Sequence, residues 1–198
     1  MGPRAAGDRA AERCDARGVY DDVRRVASAL GVPDRGEGVV RNMRRRLAAI
    51  AAEAGSAPRR PTVATIEWLS PLMTAGNWIP ELIEIAGGRS LLGASGRHSP
   101  RVDWEEVLAA DPDVLLVFPC GFSLGRTARE TGLLTKRPEW ARLRAAREGR
   151  VYLCEGNQYF NRPGPRLVET AEIVAETLHP DRFTFGHEGS GWMRIGSD

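Results

Sequence analysis

Between Asp113 and Phe118 the chain reads DVLLVF, with four aliphatic residues in a row and no polar alternation. A strand of that kind is covered on both faces, so it demands a sheet enclosed between two layers. The same grammar runs on either side of it. TVATIEW (62–68) is β-branched and strand-like, and WIPELIEIA (78–86) is helical, with Asn77 as N-cap and a stop at Gly87-Gly88. DWEEVLAA (103–110) opens with the capping-box spacing of Asp103 and Glu106. Helical segments fall near 125–133 and 138–145, and RVYLC (150–154) is a third strand. GPRLVETAEIVAETLH (164–179) is an amphipathic helix with Leu167, Ala171, Val174 and Leu178 inward. Strands alternating with helices predict an α/β fold, a single three-layer lobe with a short parallel sheet flanked by helices.

A long helical region precedes that lobe. Val19, Val23, Val26 and Leu30 mark one stripe, ended by Gly31 and Pro33. Val40, Met43, Leu47, Ile50 and Ala54 mark a longer helix over 36–54, and GSAPRRP follows as a linker. Residues 1–17 lack periodicity and are expected to form a disordered leader. Residues 18–60 are then bridging helices, 61–180 the α/β lobe, and 181–198, rich in Gly and Ser, a flexible tail.

Charge narrows the function classes. Residues 1–60 carry 13 arginines against 8 acids, while residues 61–198 carry 15 basic against 18 acidic residues, so the lobe offers no basic stripe for a phosphate backbone and no nucleic-acid partner is expected. No apolar run is long enough to span a bilayer, and the first residues lack the apolar core of a secretory signal, so the chain as written is expected in the cytosol. Cys14, Cys120 and Cys154 show no metal-ligand spacing; Cys120 and Cys154 read as small apolar residues at strand ends.

Ligands of open parallel sheets lie beyond the carboxyl ends of the strands. Three segments leave those ends: EWLSPLMTAGNW, PCGFSLGR and EGNQYFNRPGPR, carrying Trp68 and Trp78, Phe118 and Phe122, and Tyr159 and Phe160. Aromatic rings there offer flat apolar walls with little rotameric freedom, suited to a large rigid guest, and Asn157, Asn161 and Arg162 add directional hydrogen bonds. Pro163 and Pro165 stiffen the platform. The same rings could instead simply close the top of the core.

VYDDVRRVASALG, EWLSPLMTAGNWIPELIEIAGG, VDWEEVLAADPDVLLVFPCGF and GNQYFNRPGPRLVE together resemble the linker helix and C-terminal lobe of cobalamin-binding solute-binding proteins of ABC importers, over about Val19 to Pro180. The resemblance implies two α/β lobes joined by a rigid helix, with the corrin ring between them. It implies that Trp68, Trp78, Phe122, Tyr159 and Phe160 line this lobe's side of the cleft, and that Asn157 and Arg162 meet corrin amides or the nucleotide tail. Glu105 stands where the family carries a glutamate that docks on arginines of the membrane permease. The expected ligand is cobalamin or a related corrinoid, with haem or a ferric siderophore as the alternative, no cofactor and an extracytoplasmic location. The family's first lobe and export signal have no counterpart in these 198 residues. The chain is therefore expected to be a fragment, or a product of a misplaced start, with weak ligand binding or no independent activity. Its exposed bridging helices are expected to favour self-association.

Two other chemistries have sequence support. CGFSLGRT has the Cys-x5-Arg-Thr spacing of a thiol phosphatase cradle, with Cys120 as nucleophile and Arg126 as phosphate fork, although Pro119, Phe122 and Leu124 fit that loop poorly. His98, in GRHSPR, is a candidate axial ligand to cobalt or iron, but His98, His179 and His187 make no ligand set, so no resident metal site is expected. His179, ending a helix before Pro180, suits a dipole-stabilised cation.

Overall fold

In the computed structural model, which describes residues 15–196, the chain begins with a helical hairpin. Helix α1 (Ala16–Ala29) is capped by Asp15, whose Oδ1 accepts from the Gly18 amide at 2.8 Å. Gly31, at φ +71°, turns the chain, and Pro33 opens α2 (Pro33–Gly55). The helices pass closely at Gly36, where a Cβ would stand 2.5 Å from that of Ala27. All five residues of the α2 stripe, Val40 to Ala54, are buried. On α1 the buried face runs instead through Ala16, Val19, Tyr20 and Ala27, which leaves Val26 and Leu30 exposed.

Next come β1 (Thr62–Ile66), a small antiparallel pair of β2 (Trp68–Leu69) and β3 (Leu72–Met73), α3 (Ile79–Ile85), β4 (Arg89–Ser90), α4 (Trp104–Ala110) and β5 (Val114–Val117). They are followed by α5 (Leu124–Glu130), α6 (Gly132–Thr135), α7 (Arg144–Arg147), β6 (Val151–Cys154), α8 (Leu167–Leu178) and β7 (Trp192–Arg194). The main sheet has the order β4-β1-β5-β6-β7, parallel throughout except where β7 runs against β6. In register, Val63 lies beside Val114, Ile66 beside Val117 and Leu115 beside Val151.

Strand alternation divides the core in two. Val63, Val114, Leu116 and Tyr152 pack with α2, α3 and α8, whereas Ala64, Ile66, Leu115, Val117 and Leu153 pack with Val107, Leu124, Leu134 and Ala145 from α4 to α7. These are the three layers that the apolar β5 run demanded. At the amino ends of the strands, buried Asp113 accepts from the Thr62 amide at 2.8 Å and from Arg144 at 2.8 Å, tying β1, β5 and α7.

Two boundaries differ from expectation. The last segment is not a loose tail, since β7 closes the sheet edge and Trp192 is only 7 % exposed. A three-residue strand is too short to show a period. Of the expected leader, residues 15–17 cap and begin α1, and 1–14 lie outside the described residues. Among the described residues, no helix is long and apolar enough to cross a membrane.

Candidate functional site

The loops after β1, β5 and β6 are bound to one another at the carboxyl edge of the sheet. The Cys120 amide donates to Glu67 O at 3.0 Å, and the Asn157 amide to Phe122 O at 2.9 Å. Trp78 Nε1 donates to Phe160 O at 3.2 Å, across 82 residues of sequence. Glu155, buried immediately after β6, accepts from the Leu124 amide at 2.6 Å and the Gln158 amide at 3.1 Å. One carboxylate thus caps α5 and starts the single π-helical turn Gly156–Phe160. Gly156 allows this join, because a Cβ there would lie 2.4 Å from Pro119 O. Sequence reading missed Glu155; its only signal was an acid directly after an apolar strand.

The aromatic side chains converge on this edge but divide between the two sides of the sheet. Trp68 meets Phe122 edge-on at 5.7 Å on the side of α4 to α7, while Trp78, Tyr159 and Phe160 belong to the side of α8. Trp68, Trp78 and Tyr159 are half-buried and keep surface at the rim. Of the rings expected to line the cleft, Phe122 and Phe160 are buried rather than exposed at the rim, and Phe160 borders only a small cavity beneath it. Phe160 is fully buried and stacks on Phe118 at 4.3 Å, and Phe122 is 4 % exposed with the Arg126 guanidinium 3.6 Å over its ring. Both rings support the platform from beneath.

Tyr159 is held between His187, edge-on at 5.9 Å, and Arg166, 5.5 Å over the ring. Asn157 and Arg162 meet each other, since Arg162 donates from Nε to Asn157 O and from Nη2 to Asn157 Oδ1, both at 2.6 Å. Asn77 does not cap α3; it adopts φ +54° one residue before the Trp78 cap position. Glu105 is exposed in the first turn of α4. His98 is exposed, and among the described residues no group of three His, Cys, Asp or Glu could hold a metal ion.

Beneath the rim lies a cavity of about 200 Å³ lined by Glu67, Asn77, Trp78, Cys120, Phe160 and Asn161. Glu67 Oε1 accepts from Asn161 Nδ2 at 3.4 Å, and its other oxygen accepts from the Ser99 hydroxyl. Burial pushes the Glu67 pKa up, against the Ser99 hydrogen bond. The Cys120 thiol is pushed up as well, by burial first and then by the Glu67 charge, with Arg162 opposing. A phosphatase-type nucleophile needs the reverse. Arg126 does not form that cradle, because its Nε binds Glu130 at 2.8 Å. The arrangement is suited to binding rather than covalent chemistry.

A family model described as periplasmic binding protein matches residues 9–157. The uncharacterized ABC transporter substrate-binding lipoprotein YvrC of Bacillus subtilis is 23% identical over 170 residues, covering 83% of this chain and 51% of that protein. A periplasmic binding protein of Veillonella parvula matches in structure with a TM-score of 0.71 at 22% identity, covering 84% of this chain and 57% of the other. The periplasmic heme-binding protein RhuT of a Roseiflexus species matches with a TM-score of 0.69 at 25% identity, covering 85% and 65%. The chain spans about half the length of the curated relative it matches.

Proposed function

Since the chain belongs to the periplasmic binding protein family, we propose that it is the C-terminal lobe, with bridging helices, of an ABC-importer solute-binding protein. Its ligand is cobalamin or a related corrinoid, held outside the cytoplasm for delivery to a membrane permease. One observation carries this reading: three loops, bound together at one sheet edge, keep Trp68, Trp78 and Tyr159 at the rim over a packed aromatic floor. Such a floor holds the rim rings in place before a ligand arrives, so little ordering entropy is lost on binding. Asn157 and Arg162, joined to each other in the free chain, supply polar contacts at the ligand's edge. Glu105 supplies the carboxylate for permease docking. The substrate-binding designation of YvrC supports the class. The name of RhuT favours haem as the second reading.

Visible-absorbance titration of the chain with cyanocobalamin, hemin and a ferric hydroxamate tests the assignment. Saturable spectral change with cyanocobalamin is expected. Saturation by hemin or the hydroxamate alone would replace the corrinoid with that ligand, and saturation by none would overturn the binding role of this lobe.

A further inference from the structure

The cavity under the rim is short of hydrogen-bond donors. Trp78 has committed its indole N–H to Phe160 O, and Asn161 has committed one of its two Nδ2 N–H groups to Glu67. Among the described residues, Asn161 Oδ1 is buried with no donor, and the Glu67 carboxylate receives only the Asn161 and Ser99 hydrogen bonds. A carboxylate has about four lone-pair sites, so roughly half of its accepting capacity is unused. The lining contains no cation; Arg162, whose charge reaches Cys120, is bound to Asn157. Asn77 offers an amide of both polarities, and the remaining donors of the lining are the second Asn161 N–H and the weak Cys120 thiol.

We infer that this cavity is a subsite for a neutral N–H donor, a primary amide above all, and that Glu67 makes it reject carboxylates. A partly desolvated carboxylate without a cation gains most from a donor, and burial already raises its pKa. An incoming carboxylate would set two like charges in one small space, which is unfavourable. The inference rests on the corrinoid reading and deepens it. Corrin rings bear amide side chains, whereas haem bears propionate carboxylates, so Glu67 would select between two macrocycles of similar breadth.

The test uses the small fragments themselves. The ¹⁵N-labelled chain is titrated with propionamide and, separately, with propionate at pH 7.5, and the Trp78 indole and Asn161 side-chain amide resonances are followed. Propionamide is expected to move both resonances, and propionate to leave them in place. In Glu67→Gln, with its spectrum showing a folded chain, the initial slope of the propionamide shift should fall about tenfold, equivalent to one hydrogen bond to a charged acceptor. Equal response to propionate, no response to propionamide, or an unchanged slope in Glu67→Gln would overturn the subsite. Propionamide response without cyanocobalamin binding would sink the corrinoid reading and leave the subsite standing. Cyanocobalamin bound alike by wild type and Glu67→Gln, with no propionamide response, would do the opposite.

Discussion

Glu176, on the last helix, accepts a hydrogen bond at 2.7 Å from the indole Nε1 of Trp192 in the final strand. Its other oxygen accepts from the backbone amides of Phe185, Gly186 and His187. One buried carboxylate therefore holds the segment that closes the sheet edge. Glu176→Ala should destabilise the chain by about 2–4 kcal/mol, because the Trp192 indole N–H is left buried without an acceptor. Glu176→Gln, which keeps an acceptor oxygen, should lose less. Urea unfolding followed by tryptophan fluorescence measures both, and equal stability of Glu176→Ala and wild type would refute the clamp.

His179 is not the charged helix end that its position suggested. It is 7 % exposed, its Nε2 has no hydrogen-bond partner among the described residues, and burial lowers its pKa. Below about pH 6.5 the unfolded chain takes up a proton that the folded chain refuses, so stability should fall as pH drops through that range. His179→Gln should flatten this slope between about pH 7 and pH 5. The same slope in both proteins would show that His179 is not its source.

Asp113 responds at lower pH. Burial acts to raise its pKa, yet hydrogen bonds from Thr62 and Arg144 and the Arg59 charge hold it below the ordinary carboxylate range. Its contribution is complete above about pH 4 and is lost as pH falls through the depressed folded value. Asp113→Asn should be less stable than wild type at pH 7, and the gap should close in acid. Chemical denaturation at pH 7 and pH 3 compares the two.

Gly156→Ala places a methyl group against Pro119 O, where the gap is 2.4 Å. The turn carrying Tyr159 must then move away from the loop after β5. Cyanocobalamin affinity should fall at least tenfold, equivalent to about 1.4 kcal/mol, while the far-ultraviolet spectrum stays unchanged. Unaltered affinity would separate the turn from binding.

Tyr159→Ala removes a rim ring that lies between His187 and Arg166. Corrinoid binding should weaken by about 1–3 kcal/mol, the scale of an aromatic anchor. Phe160→Leu offers the contrast. Phe160 is buried on Phe118, so this change should lower the unfolding midpoint more than the affinity. The reverse ranking in paired titration and denaturation experiments would place the ligand on Phe160.

The layered architecture was legible in the chain itself. VLLVF has no polar side chain to spare for solvent, and the stripe of α2 repeats at helical spacing, so burial patterns order these layers. Helix α8, expected to be amphipathic, is instead buried at every position but Glu169, because it lies under both α2 and the segment that returns to β7. The carboxyl edge was legible too, since parallel strands place every loop that leaves a strand at one end of the sheet. The side to which each ring turns was not. Tyr159 and Phe160 are neighbours in sequence, yet one stays at the rim and the other stacks on Phe118, a choice made by the π-helical turn and its distant partners. Glu67 likewise meets Asn161 over 94 positions, and Glu176 reaches Trp192 only because β7 returns along β6. Local periodicity reports which residues avoid water; contacts between remote segments decide which polar atoms they leave unpaired, and with them the chemistry of the site.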